Sequence, residues 1–154
     1  MAGIFMSDKI LVSACLAGCK CRYDGESEER GYIVELVKVG KVVLVCPEQL
    51  GGLETPRAPS ERSEGKVVSI EGTDVTAEFI RGATKVLECA KKNQITRAIM
   101  KADSPSCGYG KIYDGNFDGT LIVGNGVAVE MLLENNIEVM DETEGELWYE
   151  QTEK

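Results

Sequence analysis

Three cysteines stand where chemistry is usually placed. Cys15, Cys46 and Cys107 each follow an apolar run or sit in a Gly/Pro turn, in SACLAG at 13–18, VCPEQLGG at 45–52 and SPSCGYG at 104–110. The chain contains no histidine, so any acid or base must be a carboxylate, Lys, Tyr or Cys. A donor set of thiolates alone suits zinc or an iron–sulfur cluster. Structural zinc normally takes four ligands in closely paired Cys spacing, which is missing here. Three dispersed cysteines suit a [4Fe-4S] cluster with one iron lacking a protein ligand. Such an iron is a Lewis acid open to a soft substrate atom, sulfur above all.

Glu48 lies two residues after Cys46, and Pro47 fixes the backbone between them. Its carboxylate is therefore held near the thiolate, as a candidate acid/base; the alternative is one more surface Glu. Ser104 and Ser106 precede the third cysteine and could hydrogen-bond a substrate or cap the following turn. Lys101 and Arg57 are the nearest cationic candidates for substrate binding, with solvated surface charge as the alternative. Tyr23-Asp24-Gly25 and Tyr113-Asp114-Gly115 repeat the letters YDG in two loops, either lining a pocket or forming Asx-type turns. Cys19 and Cys21 complete a local C-x3-C-x-C run with Cys15, which reads as a metal loop, a redox pair or plain loop residues. Cys89 falls within a helical pattern and reads as a small buried hydrophobe.

The elements that must bring these groups together follow from hydrophobic period and turn signals. Short apolar runs at 9–14, 41–45, 96–100 and 137–140 read as buried strands. Helical spacing appears at 28–40, ending at Gly40, at 73–93 with Thr73 or Asp74 as cap, and at 127–135. A short strand at 67–71 and a hairpin of 112–117 with 120–123, turning at Asp118-Gly119, are added to these. The segment 46–65 reads as one long loop. Alternation of strand and helix predicts an α/β fold: a single-domain three-layer sandwich with a mainly parallel sheet, crossover helices and a β-hairpin insertion. In that arrangement the three cysteines follow strands whose carboxyl ends share one edge of the sheet, where such folds bind ligands.

Size and charge narrow the function. A chain of 154 residues suits one domain with its own core, expected over 1–140, with 141–154 as an acidic, peripheral C-terminal tail. A net charge of −9 argues against a long nucleic acid as partner. No apolar run is long enough to span a membrane, and the first residues read as a short leader into a strand, not a signal peptide. The expected compartment is therefore the reducing cytoplasm, where cysteines serve as thiols or ligands.

At these residues the chain resembles the family known as domain of unknown function 523. The likeness rests on SACLAG…RYDG at 13–25, VCPEQLGGLETPR at 45–57, GTDVT at 72–76, KADSPSCG at 101–108 and IYDGNFDG at 112–119. It implies the catalytic domain of thiouracil desulfidases, with a [4Fe-4S] cluster on Cys15, Cys46 and Cys107, an acid/base at Glu48 and a pocket serine at Ser106. The expected substrate is a small thiolated pyrimidine base or nucleoside, desulfurised by hydrolysis without net redox. Two other readings use the same thiols: a non-catalytic sulfur or cluster carrier, and a metal-free redox protein working through Cys15, Cys19 and Cys21.

Overall fold

The structure, a computed structural model, describes residues 9–152; the expected N-terminal leader lies outside them. Four parallel strands form the central sheet: β1 (Ile10–Ser13), β2 (Val42–Val45), β5 (Arg97–Met100) and β8 (Glu138–Asp141), in the order β2-β1-β5-β8. Leu11 and Val12 pair with Val43 and Leu44 on one side and with Ala98 and Ile99 on the other. Successive side chains of a strand face opposite ways, and the core divides accordingly. Leu11, Ala98, Met100 and Val139 pack under helices α3 (Thr76–Lys92) and α4 (Val127–Glu134). Ile10, Val12, Ile99 and Met140 pack under α1 (Gly31–Lys38) and α5 (Glu142–Thr152). The result is the expected three-layer α/β sandwich.

The crossovers set the position of the site. From β1 the chain moves outward to β2 through α1; from β2 it crosses back beyond β1 to β5 through α3, then on to β8 through α4. Right-handed connections running in opposite directions put their helices on opposite faces. The direction therefore switches between β1 and β5, and a crevice opens beyond their carboxyl ends.

Several expectations need correction. The segment 46–65 is not one loop: it contains the single-turn helix α2 (Pro47–Leu50) and strand β3 (Ser60–Ser63), which pairs antiparallel with β4 (Lys66–Ser69). β3 reads SERS and all four residues are half-buried, so it carries no hydrophobic alternation. The hairpin of β6 (Lys111–Tyr113) and β7 (Leu121–Val123) is shorter than expected, because Asp114 turns the chain by accepting the Asn116 N–H at 2.9 Å. Helix α1 starts at Gly31, not Glu28: Glu28 and Arg30 are tied as extended chain to the Cys15 and Leu16 carbonyls, at 3.0 and 2.8 Å. The 141–154 segment is not a peripheral tail over its described part. α5 docks on the sheet through Trp148 and Tyr149, and Glu142 is buried to 4% exposure.

Candidate active site

The segments that follow β1, β2 and β5 at the carboxyl edge of the sheet carry Cys15, Cys46 and Cys107. After β1 the chain winds into a 3₁₀ turn, Ala14–Ala17, closed by Gly18 at φ 101°, a left-handed conformation that favours glycine. This turn holds Cys15 buried against the α1 layer. After β2, Cys46 stays extended and Pro47 opens α2, where its missing N–H and fixed φ suit the first helical position. After β5, residues 104–108 make a turn closed by Gly108 N–H to Ser104 O at 2.9 Å. That turn places Cys107 in the α3/α4 layer. Cys15 and Cys107 thus approach from opposite faces of the sheet and meet over its end.

Nine of the residues singled out from the sequence border one cleft of about 350 Å³: Cys15, Cys46, Cys107, Glu48, Ser106, Ser104, Tyr23, Arg57 and Lys101. Within it Glu48 is held at both oxygens. Ser106 Oγ donates to Oε2 at 2.9 Å, and Arg57 Nε donates to Oε1 at 2.9 Å. Ser106 is itself 3% exposed. Ser104 Oγ accepts the N–H groups of Ser106 and Cys107 at 3.1 and 2.8 Å, so it shapes the turn. The remaining guanidinium donors of Arg57 reach Glu54 O, Thr55 Oγ1 and Cys21 O. Arg57 therefore braces Glu48 and ties the 19–25 loop to the 47–57 segment. Lys101 Nζ rests 3.2 Å from the buried Glu142 carboxylate.

Sequence reasoning missed three contributors. Ser13 is 2% exposed, lines the cleft and accepts the Lys101 N–H at 2.9 Å; as one serine in a strand it carries no signal of its own. Glu142 accepts the Ala102 N–H at 2.7 Å and fixes the loop after β5; its acidic surroundings hid it. Cys21 was noted, yet its place in the cleft beside Cys46 was not foreseen: Cys46 Sγ donates to Cys21 O at 3.6 Å. Cys19, by contrast, is exposed and outside the cleft lining.

The thiols are in unlike environments. Burial pushes Cys107 up to about 12, with the Ser13 and Ser106 hydroxyls pulling the other way. Cys15 is also pushed up to about 12, by burial first and the neighbouring Cys107 second, against the Lys101 charge. Cys46 moves down, chiefly because Cys21 donates a hydrogen bond to it and then because the Gln49 N–H does, with burial opposing.

A donor set of thiols lining one cleft is of the kind an iron–sulfur cluster takes. Among the described residues no three Cys, Asp or Glu side chains stand close enough to share one metal ion. Thiols spread around a common cleft are what a polynuclear group needs, because its irons are separate corners with separate ligands.

The doubly wound sheet, with three cysteines and a doubly held carboxylate in the crevice at its switch point, defines the class of this α/β protein. The chain belongs to the 2-thiouracil desulfurase family, whose profile matches residues 10–144. It is 42% identical over 145 residues to the uncharacterized protein YbbK of Bacillus subtilis (strain 168), covering 88% of this chain and 96% of that one. Its fold is that of the [4Fe-4S]-dependent thiouracil desulfidase TudS, with TM-score 0.87 and 42% identity over 95% of this chain and 99% of the other.

Proposed function

We propose that the protein is a [4Fe-4S]-dependent desulfidase of thiolated nucleobases or nucleosides. It replaces the sulfur of a thiouracil-like C=S by oxygen, with water as co-substrate and hydrogen sulfide as the second product. The observation that carries this reading is the convergence of Cys15, Cys46 and Cys107 with a doubly braced Glu48 in one cleft. It is supported by the likeness to TudS over nearly the whole of both chains.

Cys15, Cys46 and Cys107 would hold the cluster. When bound, the cluster supplies a Lewis acid with affinity for sulfur. The chain's own residues carry the proton and the geometry. Glu48 accepts a proton from the attacking water and returns it to the leaving group. Ser106 and Arg57 keep that carboxylate from rotating, which preserves a near-attack arrangement. Tyr23, Lys101 and Ser104 border the space left for the pyrimidine ring. Thiocarbonyl and carbonyl carbons have the same oxidation state, so no electron donor is needed. No described helix is long and apolar enough to cross a membrane, and the reading places the protein in the cytoplasm, where thiols stay reduced. A carrier role leaves Glu48 and its two braces without a task.

The test is anaerobic reconstitution. The loaded chain should be brown, carry about four irons and four sulfides per chain as a cubane requires, and release uracil and sulfide from 2-thiouracil. Cys15→Ala should lose colour and turnover together. Glu48→Gln should keep the colour and lose turnover by about 10²-fold or more. Unchanged turnover in loaded Glu48→Gln rejects the assigned base, and a colourless wild type rejects the cofactor.

A further inference from the structure

We propose that Cys21 and Cys46 form an oxidisable thiol pair, a disulfide site that opens when the cleft carries no cluster. The inference rests on the proposed role of Cys46 as a cluster ligand.

The geometry is built, not incidental. Cys21 is 5% exposed and lines the same cleft as Cys46. Its backbone is pinned there from two sides: the Cys46 thiol lies 3.6 Å from Cys21 O, and Arg57 Nη2 donates to the same oxygen at 2.9 Å. Arg57 also ties the loop through its own N–H, donated to Tyr23 O at 2.8 Å. Cys21 and Cys46 thus belong to loops 25 positions apart that Arg57 clamps together. Both thiols are free in the structure. The cysteine cluster reading does not use Cys21, and Cys19, its neighbour in the C-x3-C-x-C run, is exposed and outside the cleft.

The chemistry balances with a peroxide as oxidant. The Cys46 thiol loses its proton and attacks the O–O bond; an S–O bond forms, the O–O bond breaks, and the leaving hydroxide takes up that proton as water, giving a sulfenic acid. The Cys21 thiol then attacks that sulfur; the S–S bond forms, the S–O bond breaks, and the leaving hydroxide takes the Cys21 proton as a second water. Two thiols lose two protons and two electrons, and one peroxide becomes two waters. The disulfide stops Cys46 short of the irreversible sulfinic state, and a thiol reductant restores it. Cys21 is therefore a resolving cysteine that keeps a cluster ligand recoverable after cluster loss.

The experiment uses the full chain, cluster-free and loaded, treated with a small excess of hydrogen peroxide, alkylated and mapped by mass spectrometry. Cluster-free wild type should give a peptide linked between Cys21 and Cys46, and after dithiothreitol should take up iron and sulfide as untreated protein does. Loaded protein should form the link only as its colour fades. Cluster-free Cys21→Ser, and Cys21→Ala should the first fold poorly, should carry sulfinic acid at Cys46 and regain little cluster after dithiothreitol. A link from Cys46 to Cys15 or Cys107 instead, or equal link formation in loaded protein, overturns the proposal. So does full recovery of both variants. Turnover of 2-thiouracil by loaded wild type judges the desulfidase reading separately, because the link in cluster-free protein does not depend on it.

Discussion

Ser106 and Glu48 meet across the cleft from loops 58 positions apart, with Ser106 Oγ donating to Glu48 Oε2 at 2.9 Å. This one bond joins the loop after β5 to the helix after β2. Hydrogen bonds to a charged partner contribute about 1.5–3 kcal/mol, which is tenfold in rate for each 1.4 kcal/mol. Ser106→Ala should therefore lower kcat by about 10-fold or more while cluster content stays at the wild-type level. Steady-state turnover per bound iron checks it; an unchanged kcat removes Ser106 from the catalytic arrangement.

Arg57 makes four separate contacts from one side chain that is 9% exposed. A lysine keeps the charge but not the planar fork. Arg57→Lys should lower both turnover and stability, the latter by about 1–3 kcal/mol for the lost charged hydrogen bonds. Urea unfolding of cluster-free protein reads the stability, and turnover at matched cluster content reads the rest. A variant with wild-type values in both would show that the clamp is dispensable.

Much of this arrangement is legible in the sequence, for a specific physical reason. A strand buried on both faces must be nearly all apolar, as ILVS at 10–13 is, whereas VVLV at 42–45, read as buried from the same signal, is the edge strand and buries only Val45, with Leu44 exposed. The turn signals after them then locate Cys15 and Cys46. Cys107 was legible for the same reason, although its loop runs seven residues beyond Met100. What failed were elements held by polar contacts. β3 has no apolar face, and Glu28–Arg30 is pulled straight by backbone bonds to residues 15 and 16. Glu142 looked like one more acid in an acidic tail, whereas tertiary contacts make it an anchor.

Gly82 and Gly51 let α2 lie directly on α3. A Cβ at Gly82 would overlap the Pro47 carbonyl oxygen, and one at Gly51 would overlap the Glu78 carbonyl oxygen. Backbone on both sides leaves no flexible group to yield. Gly82→Ala should cost about 1–3 kcal/mol by overpacking, despite the better helix propensity of alanine. It should also displace Glu48, which sits on α2, so turnover should fall more than cluster content does. A stabilised and fully active Gly82→Ala would contradict this contact.

Glu142 anchors the loop after β5 by accepting the Ala102 N–H at 2.7 Å and facing Lys101 at 3.2 Å and Arg30 at 3.6 Å. Removing one partner of a buried ion pair costs about 3–5 kcal/mol. Arg30 is 41% exposed, so its share is small, and Glu142→Gln should cost about 2–3 kcal/mol. Urea unfolding of the cluster-free chain measures it. A loss near zero would mean that α5 holds the loop by packing alone.

Tyr32 provides a pH test of the same anchor. Its hydroxyl donates to Glu142 O at 2.6 Å and its ring stacks obliquely on Tyr149, with centroids 5.6 Å apart. Burial first, and the Glu142 charge second, push its ionisation above the ordinary tyrosine value. The folded chain thus holds this proton at a pH where the unfolded chain has released it. The resulting stabilisation is complete below the unfolded value of about 10 and is lost as pH rises beyond it. Tyr32→Phe should cost about 1 kcal/mol at neutral pH for the lost hydrogen bond. The difference between wild type and variant should shrink as the pH is raised to about 11. Cys15 and Cys107 also titrate in that range, but they are common to both proteins and cancel in the comparison. Paired urea titrations at the two pH values measure the difference, and a gap that stays constant or widens would show that the Tyr32 hydroxyl is not held as described.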